Sequence, residues 1–216
     1  MTTSSTKSFR EWLLNNSLSI LFFGLFLMSL VVQSVSGLHS FNDLLHVHGR
    51  PPTDYLHFLG TGTFLDSVFS NWQAAFFQIT CLVLFAKGLY QKGASHSRKP
   101  EHRKKSRAAK SRREPWLYRN SFAVALGVVF VGAWVAHIFF GTMAYNEMQS
   151  LDGQAPVSVA SYLSNGAFWF NSTQTWQAEF VAIGAFLVMS IYLREEGSPE
   201  SKPVGSRKET TGEVYK

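Results

Sequence analysis

Two polar side chains interrupt long apolar stretches of this 216-residue sequence, and they are the first candidates for chemistry. Gln33 lies within residues 17–37, and His137 lies within residues 121–141. A polar side chain in a membrane segment is costly, so such residues often mark ligand sites, ion paths or proton relays. The same residues also form interhelical hydrogen bonds that fix packing, worth about 0.6–2 kcal/mol per pair. The packing interpretation is the more economical one, and the functional one stays open.

Three further residues complete the candidate polar site. Asn42 and Asn146 follow the two apolar stretches, and Glu179 is a carboxylate near the membrane without a charged neighbour in sequence. We expect Glu179 in the first turn of the fourth membrane span, where the helix macrodipole favours a negative charge. Arg50 and His137 are its candidate partners. The predicted site therefore consists of Gln33, His137, Asn42, Asn146 and Glu179.

The sequence predicts no catalytic residue, no metal site and no cofactor. His46 and His48 are two residues apart, so on a helix they point to different faces, and no third ligand follows at a suitable spacing. Bis-histidine haem binding needs two facing intramembrane histidines, and only His137 is available. No phosphate loop, nucleophile elbow or paired-carboxylate motif is present. We therefore expect a protein that is not an enzyme.

The elements that position these residues occur twice in the chain. Residues 12–93 align without a gap with residues 116–197, and 20 of the 82 paired positions are identical. The identities include Trp, Asn, Gly, Pro and Gln, which a shared apolar composition does not explain, so they indicate an internal repeat. Gln33 and His137 occupy equivalent positions in the two copies.

Each copy contains two segments that are long enough to cross a membrane. A helix rises about 1.5 Å per residue, so about 20 apolar residues span the hydrocarbon core. The predicted spans cover about residues 17–37, 72–90, 121–141 and 176–193. We predict an all-α membrane fold of four transmembrane helices, arranged as two parallel helical hairpins. The predicted divisions are an N-terminus (1–11), repeat 1 (12–93), a basic linker (94–114), repeat 2 (115–197) and a disordered tail (198–216).

The basic residues predict the orientation. Of 20 Lys and Arg, eleven lie between Lys92 and Arg119, whereas residues 38–71 and 142–175 contain only Arg50. Because basic residues stay cytoplasmic, we expect both termini and the linker inside and the two loops outside. The hairpins then point the same way, related by a pseudo-two-fold axis along the membrane normal. The expected partners are the bilayer and anionic lipid at residues 94–114, with a homo-oligomer as an option and no nucleic acid.

The outer loops contain their own turn and helix signals. Gly49 and Gly153 suit left-handed C-caps of helices that continue beyond the membrane, and Pro52 and Pro156 prevent any continuation. Short interfacial helices are predicted at residues 53–59 and 158–163, one in each outer loop.

The second helix of each hairpin has a predicted start and a predicted aromatic band. Thr63 and Asp66 have the spacing of a capping box, which is missing from the second copy, where Asn165 is the candidate cap. Trp72 and Trp176 are expected to lie in an aromatic belt at the outer membrane surface.

Several short motifs of the chain form a recognisable set. They are His48-Gly-Arg-Pro-Pro52, Tyr55-Leu56, Gly62-x-Phe64, Asn71-Trp72-Gln73 and the C-terminal Gly197-Ser-Pro-Glu-Ser-Lys-Pro203. With these motifs the chain resembles a known family of small bacterial integral membrane proteins described only as a domain of unknown function. The resemblance implies tandem two-span units and a bacterial inner-membrane location, and it brings no established activity. The family's Trp-x-x-Glu-Phe pattern is present with Glu179, but the first copy has Ala75 at that position, so a pair of symmetric carboxylates is not expected.

Three function classes follow from these observations. We predict a non-enzymatic multi-pass protein that binds a partner or acts in the envelope, because no catalytic constellation is present. The alternative is a transporter or channel for a small solute or ion, with its polar site on the pseudo-axis. The second alternative is a membrane redox enzyme. A single intramembrane titratable group, His137, favours the first class, since proton-coupled transporters usually contain more.

Overall fold

The computed structural model describes residues 9–99 and 114–212, and within these ranges every regular element is an α-helix. The predicted all-α class is therefore confirmed for this part of the chain. The long helices are α2 (Ser17–Val47), α4 (Gly62–Phe85), α6 (Ser121–Leu151) and α8 (Gly166–Tyr192). The short helices are α1 (Phe9–Asn15), α3 (Tyr55–Leu59), α5 (Trp116–Arg119) and α7 (Val159–Leu163).

The four long helices have the length and composition of membrane spans. The mean hydropathy of the most apolar window is 2.2 in α2 and α6, 1.4 in α4 and 1.3 in α8. Each window contains at most two charged residues, and each helix exceeds the 20 or so residues needed to cross a hydrocarbon core. The chain is therefore a multi-pass membrane protein. That the spans form two parallel repeats remains a prediction.

Helices α2 and α6 are each followed, two residues after their last residue, by equivalent glycines. Gly49 and Gly153 have φ angles of 65° and 70°, in the left-handed region that a residue with a Cβ rarely occupies. After Gly49 the Arg50 N–H donates to the Leu45 carbonyl at 2.8 Å, which satisfies a carbonyl at the helix end. The predicted glycine caps are thus present, and each lies 104 residues from the other.

The starts of α4 and α8 differ in part from the prediction. The N-cap of α4 is Thr61, whose side chain accepts from the Phe64 N–H, so the predicted capping box ending at Asp66 is wrong. Asp66 instead contacts a neighbouring helix. The predicted cap of α8 is correct, because the Asn165 side chain accepts from the Ala167 N–H.

The second and fourth long helices begin at Gly62 and Gly166, ten residues before the predicted spans that start at about residues 72 and 176. The sequence placed the boundary where the charge-free apolar run begins, but the polar residues before it continue the same helix. Glu179 consequently lies in the middle of α8. The expected macrodipole stabilisation of Glu179 is wrong, because that effect is confined to the first turn.

Helix α4 lies in the centre of the bundle, between α6 and α8. It approaches α6 closely at Gly62, where an added Cβ would lie 2.5 Å from Met143 Cβ and closer still to the Ala144 nitrogen. Glu147 of α6 also caps α4, since its carboxylate accepts from the Gly62 and Thr63 N–H groups at 2.6 and 3.0 Å. The first turn of α4 is therefore fixed by its neighbour.

Helix α2 packs on the other side of α4 through aromatic and aliphatic side chains. Its Phe41 joins Phe58 of α3 and Phe64 and Val68 of α4 in one buried cluster. Much of α2 remains exposed, which suits a helix with lipid on its outer face. We call the end of the bundle that carries α3 and α7 the loop end.

The opposite end, where residues 86–99 and 193–212 lie, is here called the tail end. Residues 193–212 form a series of turns packed against the segment that follows α4, which differs from the disordered tail predicted from residue 198. The Gly212 N–H donates to the Ala94 carbonyl at 3.2 Å, and the Gly93 N–H donates to Thr211 Oγ1 at 3.2 Å. Residues 100–113 of the predicted basic linker lie outside the described residues.

Lys202 joins these turns to the segment that follows α4 and to the end of α8. Its side chain is buried, and Nζ lies 2.6–3.3 Å from four backbone carbonyls, those of Gly93, Ile191, Lys208 and Thr210. Burial of the ammonium, and then the nearby Arg194 charge, lowers the pKa of Lys202, while Glu209 acts in the opposite direction. We call residues 193–212 with this lysine the Lys202 clasp.

Candidate functional site

A hydrogen-bonded trio of side chains connects the three packed helices near the loop end. His137 of α6 lies with Nδ1 2.6 Å from Asp66 Oδ1 of α4 and with Nε2 3.0 Å from Ser172 Oγ of α8. His137 and Ser172 are inaccessible to solvent, and Asp66 is 8% exposed. We call these three residues the Asp66–His137–Ser172 trio.

The surroundings hold each member of the trio in place. Phe168 stacks on the His137 ring with centroids 5.4 Å apart, and Asn171 Nδ2 donates to Asp66 Oδ2 at 3.2 Å. Gly141, one turn from His137, leaves the room in which Asp66 lies, because an added Cβ would be 3.0 Å from Asp66 Oδ1. Both carboxylate oxygens of Asp66 are therefore partnered, and the imidazole cannot tilt away.

This geometry sets the protonation pattern that the trio can hold. With an ionised Asp66, the proton on neutral His137 lies on Nδ1, since a carboxylate is an acceptor only. Nε2 then accepts from the Ser172 hydroxyl. If His137 gains a second proton, Nε2 becomes a donor and the Ser172 hydroxyl must rotate to accept. The three side chains therefore stay hydrogen-bonded to one another in either arrangement of the protons.

Tyr162 of α7 covers the trio from the loop end. It is 4% exposed, and its ring packs on Phe168 with centroids 5.5 Å apart. Burial, followed by the charge of Asp66 and the proximity of Tyr145, raises the pKa of Tyr162 from 10.0 to about 12. The phenol therefore stays protonated at neutral pH.

The structure brings His137 of the predicted site into this trio and separates it from its repeat counterpart. Gln33 Nε2 donates to Ser67 Oγ at 2.9 Å, on the residue next to Asp66. The expected approach of Gln33 to His137 is replaced by a contact of each with α4. The reason is that α4 lies between α2 and α6.

Asn42 and Asn146 fold the two loops back onto their own helices. Asn42 donates to the Thr53 carbonyl at 3.1 Å and accepts from the Thr53 N–H at 2.7 Å. Asn146 makes the same pair of bonds with Val157, at 3.0 and 2.8 Å. In the described part of the chain, these asparagines thus hold the loops against their own helices. They do not contact the trio through these hydrogen bonds.

Glu179 also lies away from the trio, toward the middle of the membrane. Its backbone carbonyl accepts from Gln78 Nε2 at 2.7 Å, and its side chain is half-buried. Of its two predicted partners, His137 pairs with Asp66 instead. Glu179 is thus a carboxylate on the α4–α8 side of the bundle, and not part of the predicted site around His137.

The two predicted belt tryptophans have different surroundings. Trp72 packs against Phe26 and Phe69 with ring centroids 5.8 and 5.4 Å apart. Trp176 donates its indole N–H to Gln73 Oε1 at 2.7 Å, inside the contact between α4 and α8. The Trp176 indole is therefore an interhelical donor.

A row of polar contacts follows the α4–α8 contact away from the trio. Gln73 is fully buried, and its Nε2 lies 3.3 Å from Thr175 Oγ1. The Gln78–Glu179 contact comes next along the helices. Polar groups therefore extend from the trio at the loop end to the middle of α4 and α8.

Sequence inspection missed Asp66 and Ser172, the two partners of His137. Asp66 is the only charged residue of α4, and that isolation was the available signal. It was assigned to a cap because Thr63 precedes it at capping-box spacing. Ser172 carried no signal, because it lies in the polar run Asn171-Ser-Thr-Gln-Thr175, where one hydroxyl does not stand out.

An open pocket of about 660 Å³ lies at the loop end, between the ends of α2 and α6. Both halves of the chain contribute residues to its lining, which includes Phe41, Pro52, His57, Met143 and Asn146. Its size lies within the range of small-molecule sites. No group of three or more His, Cys, Asp or Glu in residues 9–99 and 114–212 is arranged to hold a metal ion.

The chain matches a protein family over most of its length. The model of a family described as "Domain of unknown function (DUF6766)" matches residues 9–213. No curated protein and no solved structure matches the chain.

Proposed function

The chain belongs to the DUF6766 family, which brings no established activity, so we propose a function from the geometry: a membrane transporter that moves protons, with Asp66 and His137 as its titrating groups. The observation that supports this proposal is the Asp66–His137–Ser172 trio, in which a buried carboxylate, imidazole and hydroxyl connect three membrane helices. Chains of Asp, Glu and His inside membrane proteins are typical of proton relays.

The trio removes the main argument for a purely structural role. That argument was the presence of one intramembrane titratable group. Asp66 adds a second at 2.6 Å from the first, and Glu179 adds a third in the middle of α8. The polar row from Gln73 to Gln78 supports a route that leaves the trio along the α4–α8 contact.

We propose that the trio is not an enzyme active site, although its order matches a Ser–His–Asp triad. In such a triad the serine oxygen attacks a carbonyl carbon and must be reachable by substrate. Ser172 has no exposed surface and lies within α8, between Phe168 and Trp176 in sequence. The burial supports proton transfer between fixed groups more than attack on a substrate.

The test is proton flux into liposomes that contain the purified protein and a pH-sensitive dye. A potassium diffusion potential drives the flux, and the initial rate of internal pH change is measured. The wild type should exceed protein-free liposomes, and Asp66→Asn and His137→Gln should each lower the rate at least tenfold. Thr142→Val is the matched control, because this buried hydroxyl donates only to Ile138 of its own helix.

Two results would contradict the proposal. The first is a wild-type rate equal to that of protein-free liposomes. The second is an unchanged rate in Asp66→Asn and His137→Gln while the Thr142→Val control behaves normally.

The pocket at the loop end favours a second candidate function, binding of a partner or small molecule. Its walls combine apolar residues such as Phe41 and Met143 with polar ones such as His57 and Asn146. If proton flux is absent, Met143→Trp should reduce binding of a partner recovered by cross-linking at this end. Met148→Trp, on the exposed surface of the same helix and outside the pocket lining, is the control.

The orientation and location stay part of the proposal. We propose a bacterial inner-membrane protein with cytoplasmic termini, on the basis of the basic residues between Lys92 and Arg119. The equal bounds of α2 and α6, offset by 104 residues, support two parallel hairpins. The exposed face of α2 is compatible with lipid or with a second copy of the chain.

A further inference from the structure

A second cavity, of about 480 Å³, lies between α4 and α8 at the tail end. Its walls are apolar side chains, among them Leu82, Phe85, Ile183 and Leu187. Cys81 and Gln78 lie deepest along α4. An elongated apolar space that opens between two membrane helices suits a lipid chain, since the bilayer supplies such chains directly.

The end of this cavity at the tail end of the bundle, here called its floor, is polar and fixed. Gln91, His96 and Ser97 belong to the turn that follows α4, and they close the cavity at the tail end. Ser97 Oγ accepts from the Gln91 N–H at 3.0 Å, and His96 Nε2 pairs with the Glu200 carboxylate of the Lys202 clasp. The cavity thus has an apolar body and a polar end at the membrane surface, like an amphiphile.

The charge beside the floor is positive. Residues 86–99 contain four basic side chains, all exposed, and no acidic one. They are Lys87, Lys92, Arg98 and Lys99. On the facing tail, residues 193–212, four basic residues are balanced by four acidic ones, and one of those acids, Glu200, is paired with His96. The floor therefore favours an anionic headgroup.

We propose that this cavity binds one acyl chain of a phospholipid with an anionic headgroup, whose phosphate lies beside Arg98 and Lys99. The chain runs from the turn at Gln91 toward Cys81, between α4 and α8. This site is separate from the Asp66–His137–Ser172 trio and does not depend on proton transport. It ties the basic segment after α4 to one leaflet of the membrane.

The first test is native mass spectrometry of the protein released from nanodiscs that contain equal amounts of phosphatidylglycerol and phosphatidylcholine. The wild type should retain one phosphatidylglycerol. Ala86→Trp fills the cavity from its edge and should lose this lipid at least fivefold. Ala125→Trp, an exposed position of α6 away from the cavity, should retain it.

The headgroup assignment has its own variant. Arg98→Gln with Lys99→Gln should keep a bound lipid but lose the preference for phosphatidylglycerol, because the chain site is intact and the charge is gone. Arg207→Gln, an exposed basic residue outside the cavity, should keep the preference. Retention of phosphatidylglycerol by Ala86→Trp at the wild-type level would overturn the proposal. So would equal retention of phosphatidylcholine and phosphatidylglycerol by the wild type.

A second measurement uses the wild-type protein and avoids any folding defect of a variant. Cys81 is the only cysteine of the chain and lines the cavity. Adding phosphatidylglycerol to the protein in detergent should slow modification of Cys81 by a small maleimide at least threefold, and phosphatidylcholine should not. Equal rates with the two lipids would contradict a site for anionic lipid.

Discussion

The contact between His137 and Asp66 joins two titratable groups that are both buried, His137 completely and Asp66 to all but 8% of its surface. Removing one partner of such a pair leaves the other buried without compensation, which costs about 3–5 kcal/mol. We therefore expect Asp66→Ala and His137→Ala each to lower the free energy of unfolding in detergent by about this amount. The double variant should lose less than the sum of the two.

The control for this double-mutant cycle pairs Asp66→Ala with Ser190→Ala, at the other end of α8. Distant sites without shared partners add to within about 0.5 kcal/mol. If the losses of unfolding free energy for Asp66→Ala and His137→Ala add as closely as those of the control pair, the contact between the two residues is contradicted.

Tyr162 gives the protein a distinctive response to high pH. Its pKa in the folded state is about 12, above the ordinary value of 10.0. The protonated phenol therefore contributes stability that is complete below pH 10 and is lost as the pH rises through 12. We expect the free energy of unfolding to fall between about pH 10 and about pH 12 by more in the wild type than in Tyr162→Phe. Parallel losses in the two proteins would contradict the burial of Tyr162 beside Asp66.

At the residue scale, the sequence could identify His137 but not its partners. An imidazole in a segment without charges is visible from composition alone. Asp66 and Ser172 are 71 and 35 residues away in the chain, and their approach depends on how α4, α6 and α8 pack. Local patterns contain no information on that packing.

The close approach of α4 to α6 depends on Gly62, and its counterpart Gly166 provides a matched control. An added Cβ at Gly62 would overlap Met143 and Ala144, whereas at Gly166 it meets open space. We expect Gly62→Ala to destabilise the protein by about 1–3 kcal/mol, as overpacking does. Gly166→Ala should be neutral or stabilising by up to about 1 kcal/mol. Thermal unfolding of the two variants in the same detergent would make the comparison, and equal effects would contradict the tight helix contact.

At the element scale, the sequence predicted those features that local chemistry determines. The left-handed glycines 49 and 153, the Asn165 cap and the short loop helices all follow from residue type and spacing. The predicted spans begin ten residues inside α4 and α8, because composition marks the apolar centre of a span and the caps lie outside it. The central position of α4 could not be predicted, since two similar hairpins allow several packings.

The Lys202 clasp connects the ends of α4 and α8 through one side chain. Lys202→Met keeps the length and apolar stem but removes the ammonium that four carbonyls share. We expect backbone amides of residues 198–212 to exchange hydrogen at least tenfold faster in this variant. Lys92→Met, an exposed lysine near the same end, should leave exchange unchanged. Wild-type exchange rates in Lys202→Met would show that other contacts hold the tail.

At the scale of the whole molecule, two similar sequences take different places in one bundle. Gln33 and His137 are equivalent in sequence, yet one donates to Ser67 and the other joins Asp66 and Ser172. The tail was predicted to be disordered, because a polar, charged segment is typical of disorder when its partners are unknown. The structure instead packs it against the segment after α4, with Lys202 buried. The proposed proton relay depends on that asymmetry, since only the second copy supplies the imidazole.

The most direct test is nitrogen-15 NMR of histidine-labelled protein in lipid bilayers, with the His137 signals assigned by their loss in His137→Gln. The trio predicts that neutral His137 has its proton on Nδ1 and a bare Nε2. Asp66→Asn should change the Nδ1 signal, because the carboxylate that accepts from this nitrogen is replaced. A His137 with its neutral proton on Nε2, or one that is indifferent to Asp66→Asn, would contradict the trio and the proton relay built on it.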